Sequence, residues 1–163
     1  MPEFRMNKDG EAGDPPVTFD SLDEFTRGYI EALFFMDNAP GVSTEEWQAP
    51  GFEPSEGNFP CDVGFADIAA ESLDRIRADC SVFQRKAFIL LHHACESHGY
   101  SMARAGHDFW LTRCGHGAGF WDRKELAFRL SGDKEEVGER LSAVACWFGN
   151  VDSCLGDDGQ VYV

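Results

Sequence analysis

The chain has 163 residues, of which 43% are apolar and 13% aromatic, and it carries a formal net charge of −15 from 29 acidic and 14 basic residues. This length and composition predict one globular domain with a single core. The negative charge argues against direct binding to nucleic acid or to an anionic membrane, and it favours a basic protein partner. No apolar run approaches the ~18 residues of a membrane span, and the first residues lack the apolar core of a secretory signal, so we expect a cytoplasmic protein.

The N-terminal part predicts a tail, a helix and a long loop. Residues 1–20 lack hydrophobic periodicity and are predicted to form a disordered tail before a single domain over 21–163. In residues 21–36 apolar side chains recur every three or four positions, which predicts an amphipathic helix capped by Ser21. The next segment, 37–66, contains several prolines and glycines and follows neither period, so we predict a long acidic loop.

Helical spacing of apolar residues returns from 67 to 98. It predicts either one long helix or two helices with a bend near Cys80. A further helix is predicted over 133–149, where acidic residues occupy the first turn. The last residues predict two short strands around the turn formed by Asp158 and Gly159.

Between these helices lies an unusual segment, GHDFWLTRCGHGAGFWDR, which occupies 106–123. Because HDFWLTR alternates polar and apolar residues and GFWDR is a second short aromatic run, we predict a β-hairpin with a glycine-rich turn. Arg113 and Arg123 stand at matching ends of the two strands. There, each would pair with Asp108 or Asp122 across the hairpin. The element order therefore predicts an α+β fold, a single compact domain in which a small antiparallel sheet of two hairpins packs against about three helices.

Histidines give the same segment a second interpretation. His107, Asp108 and His116 have the chemistry of a catalytic or metal site, because imidazole transfers protons near neutral pH and ligates zinc, while a carboxylate fixes its tautomer. A hairpin would bring the two histidines together. However, the chain contains neither HExxH nor CxxC, and we assign no catalytic residue, metal or cofactor. A small enzyme or metalloprotein that also uses His92 or His93 stays the alternative hypothesis.

Acidic residues concentrate in the first part of the chain. Residues 1–70 contain 15 acidic and 3 basic residues, a net charge of −12, whereas 71–163 carry only −3. Such charge either keeps the protein soluble or presents a face to a basic partner. The aromatic residues of the loop would either anchor it to the core or contact that partner. The candidate partner contacts are acidic and aromatic residues of the loop, namely Glu45, Glu46, Trp47, Glu53, Glu56 and Asp62.

The segment Ala105–Arg123 resembles a signature of small proteins, without assigned chemistry, that are encoded by bacteriophages and other mobile elements. The similarity extends to YIEALFF, DIAAESLDRIRADCSVFQ and the terminal GDDGQVYV. The signature has Asn where this chain has Cys114, so the resemblance assigns no shared role to that thiol. It implies an accessory protein that binds and inhibits or modulates a host protein, as anti-restriction and anti-CRISPR proteins do by presenting carboxylates where a nuclease expects phosphates. A virion or DNA-end component without activity of its own is a third hypothesis.

Overall fold

A computed structural model describes residues 16–54 and 57–163, and helices dominate this part of the chain. The α-helices are α1 (Glu24–Asp37), α2 (Thr44–Trp47), α3 (Ala70–Lys86), α4 (Phe88–Ser97), α5 (Met102–Cys114) and α6 (Val137–Cys146). The strands are β1 (Asn38–Ala39), β2 (Phe59–Pro60), β3 (Cys154–Leu155) and β4 (Val161–Tyr162). Short 3-10 turns lie at Phe19–Ser21, Phe65–Asp67, Phe120–Asp122 and Lys124–Leu126. Within the described ranges, no helix has the length and apolar character needed to cross a membrane.

The predicted α+β fold, with a small antiparallel sheet of two hairpins packed against about three helices, is wrong. Strands β1 and β2 pair in parallel, with Asn38 opposite Phe59, and β3 and β4 pair antiparallel, with Cys154 opposite Tyr162. These two-residue pairs are too short to form a layer with a buried face. The described core is instead built by helices, and only the C-terminal one of the two predicted hairpins forms.

Helices α1 and α5 approach each other so closely that their backbones touch. A Cβ atom placed on Gly28 would lie 2.0 Å from the carbonyl oxygen of Ala103, and one placed on Gly106 would lie 1.8 Å from the carbonyl oxygen of Phe25. Both contacts require glycine, because any other residue would place a carbon atom inside the facing backbone. This helix pair is the centre of the fold.

Aromatic side chains fix the other elements around this pair. The Phe83 ring on α3 stacks on that of Phe109 on α5, with centroids 4.2 Å apart, and lies 5.5 Å from Phe120. Tyr29 on α1 meets Trp110 edge-on at 5.3 Å. All five side chains are at most 1% exposed. Since each ring buries a large apolar area, this cluster accounts for much of the packing energy.

The start of α1 and the division of the stretch 67–98 differ from the prediction. Helix α1 begins after Asp23, whose carboxylate accepts a hydrogen bond from the Thr26 amide at 3.0 Å, whereas the predicted cap Ser21 belongs to a preceding 3-10 turn. Of the two alternatives predicted for 67–98, the one with two helices is confirmed. They meet at Ala87, later in the chain than the predicted bend.

The two ends of the chain complete the fold. Residues 1–15 of the predicted tail lie outside the described residues, while Phe19 packs edge-on against Phe65 with centroids 5.5 Å apart. Helix α6 forms inside the range predicted for it, 133–149, but is shorter. The C-terminal hairpin follows it and is joined to the start of α3 through a bridge between Ile68 and Val161.

Candidate functional site

The first half of the aromatic segment is helix α5, so the hairpin predicted over 106–123 is wrong. The helix begins after Ser101, whose hydroxyl accepts a hydrogen bond from the Arg104 amide at 3.2 Å, and it ends at Gly115, which adopts a left-handed conformation with φ of 72°. A helix that is buried on most sides has no polar stripe, and so its sequence lacks the helical period. The buried residues of α5 are Ala105, Gly106, Asp108, Phe109, Trp110, Leu111 and Arg113.

Asp108 is the centre of a buried ionic cluster. Its side chain is fully buried, and its carboxylate accepts hydrogen bonds from Arg123 Nε at 2.9 Å and Nη2 at 2.5 Å, and from the Tyr100 hydroxyl at 2.6 Å. Burial alone would raise the pKa of Asp108, but His107, Arg123 and Tyr100 outweigh it and hold that pKa below its ordinary value. Asp108 is therefore an ionised anchor for Arg123, and it is poorly suited to accept a proton during catalysis.

Arg123 is held in one orientation by this carboxylate. The hydrogen bonds to Asp108 raise the pKa of Arg123, so the guanidinium keeps its charge, and 22% of its side chain stays exposed. The neighbouring Asp122 lies 3.8 Å from Arg123 Nε and accepts a hydrogen bond from the Gly119 amide at 3.1 Å, which shapes the turn. The predicted pair of Arg123 and Asp108 is present, although a helix and a turn form it instead of two strands.

Arg113 points away from this cluster. Its guanidinium lies 2.9 Å from the Asp79 carboxylate and donates hydrogen bonds to the Tyr29 hydroxyl and the Gly149 carbonyl oxygen, each at 3.2 Å. The prediction that it pairs with a carboxylate of the aromatic segment is wrong. Because its side chain is 1% exposed, Arg113 links α1, α3 and the end of α6 and is not accessible to a ligand.

His116 lies at the far end of α5, beside a different carboxylate. Its Nε2 is 4.0 Å from Asp37 Oδ1, and the Ser153 hydroxyl donates a hydrogen bond to Asp37 Oδ2 at 2.5 Å. Burial raises the pKa of Asp37, and Ser153 and His116 partly oppose this rise.

Helices α1 and α5 run in the same direction. Gly28 meets Ala103 near the starts of the two helices, and Asp37 at the end of α1 lies beside His116, which follows the end of α5.

The two histidines of the segment do not come together. His107 lies in the middle of α5, with Nδ1 3.8 Å from Asp108 Oδ1 and its ring 6.4 Å from that of Phe35. From His107 to the end of α5 the helix rises by roughly 10 Å, so His116 lies well beyond it. The expected juxtaposition of His107 and His116 is therefore wrong, and each histidine contacts its own carboxylate.

The remaining residues of the alternative hypothesis lie on another helix. His92 and His93 are exposed on α4, where the His92 ring packs 6.0 Å from that of Phe88. Across residues 16–54 and 57–163, no group of three His, Cys, Asp or Glu side chains is arranged to hold a metal ion. Burial raises the pKa of the Cys114 thiol to about 11, which makes it a weak nucleophile near neutral pH.

A cleft of about 410 Å³ lies along the exposed side of the α1–α5 pair. Glu31 on α1 forms one wall, and Arg104 and His107 on α5 form the other with Arg123. The Arg104 guanidinium lies 2.6 Å from the Glu125 carboxylate. Glu31 is exposed and makes no ion pair with any described Lys, Arg or His. The cleft thus presents charges of both signs that do not contact each other across it.

The acidic loop predicted over 37–66 is anchored where its two ends meet. The Asn38 amide group donates hydrogen bonds to the carbonyl oxygens of Cys61 and Val63, each at 3.2 Å, and the Cys61 backbone amide donates to the carbonyl oxygen of Val42 at 2.8 Å. Phe59 is fully buried beneath these contacts. The loop therefore leaves and rejoins the core at one place, as Ω-loops do.

Three of the predicted acidic contacts are brought together at helix α2, inside this loop. The Asp62 carboxylate accepts hydrogen bonds from the amide and hydroxyl groups of Thr44, at 2.9 and 2.8 Å. Glu46 accepts one from the Ser43 amide at 2.9 Å, and Glu45 is exposed between them with no hydrogen bond of its own among the described residues. These bonds place the three carboxylates in the first turn of α2 and next to it.

The other predicted contacts flank this cluster. Trp47 is half-buried, with its ring 6.0 Å from that of Phe52, so the aromatic pair stabilises the loop itself. Glu53 follows Phe52 and is exposed. Glu56 lies outside the described residues. We use the name acidic loop surface for the exposed carboxylates at 45, 46, 53 and 62 with the Trp47 ring.

No basic residue neutralises this region from within. The stretch 28–74 contains ten acidic residues and no Lys or Arg. Of its described acidic side chains, only Asp37 and Asp74 have an ion-pair partner among residues 16–54 and 57–163, namely His116 and Arg77. The acidic loop surface therefore carries uncompensated negative charge.

No protein-family model, curated protein or solved structure matches this chain.

Sequence reasoning missed three residues at the cleft and the ionic cluster. For Tyr100 the sequence contained a usable signal. Ser101 can cap a helix, and a side chain just before that helix can reach Asp108, which lies two turns further along it. Glu31 and Arg104 carried none, since they meet only when α1 and α5 pack side by side.

Proposed function

We propose that this protein is an accessory protein of a phage or another mobile element that binds a host protein and inhibits or modulates it. The acidic loop surface would occupy a basic site on that protein in place of nucleic acid. The observation that carries the proposal is the anchored loop, which presents Glu45, Glu46 and Asp62 together without any basic residue nearby in sequence.

Electrostatics favours this type of partner. Uncompensated carboxylates attract a surface rich in Lys and Arg, and long-range attraction of this kind accelerates association and selects among partners. A site that binds phosphates presents such a surface, so clustered carboxylates are suitable competitors. The Trp47 ring lies at the border of the cluster, and aromatic side chains are frequent among residues that dominate binding energy. The resemblance of Ala105–Arg123 to a phage signature supports the same origin.

The enzyme hypothesis receives less support from the geometry. His107 and His116 contact separate carboxylates, and Asp108 is fully engaged by Arg123 and Tyr100. A proton-transfer pair needs a base within hydrogen-bond reach of an accessible substrate atom. The aromatic segment instead organises the packing of α5 and the orientation of Arg123.

A binding and inhibition experiment tests the proposal. Purified restriction nucleases and CRISPR effector complexes are immobilised, and binding of the protein is measured at rising salt concentration with and without competing duplex DNA. We expect at least one of them to bind, binding to weaken steeply with salt, and DNA to compete for the same site. Cleavage assays with the bound target then measure inhibition.

Charge variants locate the interaction. The double variant Glu45→Gln with Glu53→Gln removes two exposed charges from the acidic loop surface, and Glu96→Gln with Glu135→Gln removes two exposed charges elsewhere. If each contact is worth about 0.5–1 kcal/mol, the first variant weakens binding roughly 5- to 30-fold and the second has little effect. The proposal fails if no target binds at low ionic strength, or if both variants weaken binding equally.

A further inference from the structure

The cleft between α1 and α5 has a feature that the acidic loop does not explain. Two guanidinium groups and one carboxylate line the same space without contacting each other, since each guanidinium pairs with a different carboxylate. Arg104 pairs with Glu125 and Arg123 with Asp108, whereas Glu31 lies across the cleft from them and forms no ion pair with a described Lys, Arg or His. Such a gap suits a ligand that touches both walls.

The basic wall is preorganised for a carboxylate. Arg123 uses Nε and Nη2 to bind the buried Asp108, so its orientation is fixed before any ligand arrives. Arg104 is directed by Glu125 through Nη1. A guanidinium carries five N–H donors in a fixed plane, so each group retains donors beyond those spent on its partner. Fixed donors bind an anion with less loss of entropy than mobile ones.

The opposite wall selects against a simple anion. The Glu31 carboxylate repels a phosphate or an acetate ion, but it attracts an ammonium group. On the same side of α1, the Phe35 ring is 78% exposed and lies 6.4 Å from the His107 ring. An exposed phenyl ring beside an imidazole offers an apolar surface for another ring. The cleft therefore combines guanidinium groups that can bind an anion, a carboxylate that can bind an ammonium group, and an aromatic surface.

We infer that this cleft binds a free α-amino acid with an aromatic or large apolar side chain. Its carboxylate contacts Arg104 and Arg123, its ammonium group contacts Glu31, and its side chain lies against Phe35. The cleft has a volume of about 410 Å³ and is wide open to solvent. Because such a cleft encloses little of its ligand, we expect a dissociation constant of about 1 mM. This site is independent of the acidic loop surface.

Nuclear magnetic resonance titration of the full chain tests the inference with three probes that share a phenylethyl skeleton. L-Phenylalanine carries both charges, 3-phenylpropionate only the negative charge, and phenethylamine only the positive one. We expect saturable shifts at the amide signals of Arg104 and His107, with phenylalanine binding at least fivefold more tightly than either other probe. The inference is overturned if phenylalanine causes no saturable shift there at about 10 mM, or if 3-phenylpropionate binds equally well.

Variants assign the two walls. Glu31→Gln should make phenylalanine and 3-phenylpropionate bind alike, because the ammonium partner is lost. Arg104→Gln should weaken both of these probes and leave phenethylamine unchanged. Its exposed pair with Glu125 contributes little to folding, and thermal melting verifies that each variant is folded. Glu135→Gln, which removes a distant charge, should change nothing. Equal effects of Glu31→Gln and Glu135→Gln on phenylalanine binding would overturn the assignment.

Discussion

Replacing Gly106 with alanine tests the close contact between helices α1 and α5. The new Cβ atom would lie 1.8 Å from the carbonyl oxygen of Phe25, and 2.9 Å from the backbone nitrogen of Tyr29. An ordinary contact between carbon and carbonyl oxygen is about 3.3–3.6 Å, so the helices must separate by roughly 1.5 Å. Neither facing atom belongs to a flexible side chain, and both helices bury large rings beside this contact. The strain therefore spreads into the core.

The size and sign of the effect distinguish this contact from helix propensity. Alanine in a helix interior is normally about 1 kcal/mol more favourable than glycine. Overpacking against a rigid backbone costs about 3 kcal/mol. We expect the free energy of unfolding of Gly106→Ala to fall by about 2 kcal/mol, and the melting temperature by roughly 4–8 °C.

Urea denaturation and calorimetry measure the two quantities. Gly28→Ala, whose Cβ would lie 2.0 Å from the carbonyl oxygen of Ala103, should behave in the same way. Ala78→Gly on the exposed side of α3 reports propensity alone and should cost about 1 kcal/mol. If Gly106→Ala is as stable as the unsubstituted protein, or more stable, the described helix contact is incorrect.

Three further predictions concern titratable groups. Arg123→Gln leaves Asp108 buried without its cation and should lower the free energy of unfolding by about 3 kcal/mol at pH 7, measured by urea denaturation, whereas Arg123→Lys should lose less. Because the pKa of Asp108 is lowered, this stabilisation should disappear as pH falls through that lowered pKa, and an unchanged difference at pH 2 would contradict the pair. The pKa of Asp37 is raised, so the fold prefers its protonated form; Asp37→Asn should raise the melting temperature at pH 7, and the gain should vanish near pH 4. The pKa of the half-buried Cys114 thiol is about 11, so a short pulse of iodoacetamide at pH 8 should label the exposed Cys146 at least tenfold faster than Cys114. Mass spectrometry measures the two rates.

Local pattern was sufficient where one face of an element meets solvent. The stripe over 21–36 predicted α1, and the spacing over 67–98 predicted α3 and α4, because the buried apolar residues of these helices recur every three or four positions. The C-terminal turn predicted its hairpin for a similar reason, since the Asp158-Gly159 pair acts within a few residues. The concentration of acidic residues before residue 75 is likewise a property of the sequence alone.

Only the tertiary structure decided what the aromatic segment does. Helix α5 is buried on most sides, so its sequence shows no helical period. Its run of aromatic residues is instead typical of a strand. Because the first half of this segment is a helix, Arg113 and Asp108 point in different directions. Arg113 pairs with Asp79 on the distant helix α3, whereas Asp108 pairs with Arg123 in the turn that ends the segment. The choice of an ion-pair partner depends on which backbones lie side by side, and here two glycines without Cβ atoms determine that arrangement.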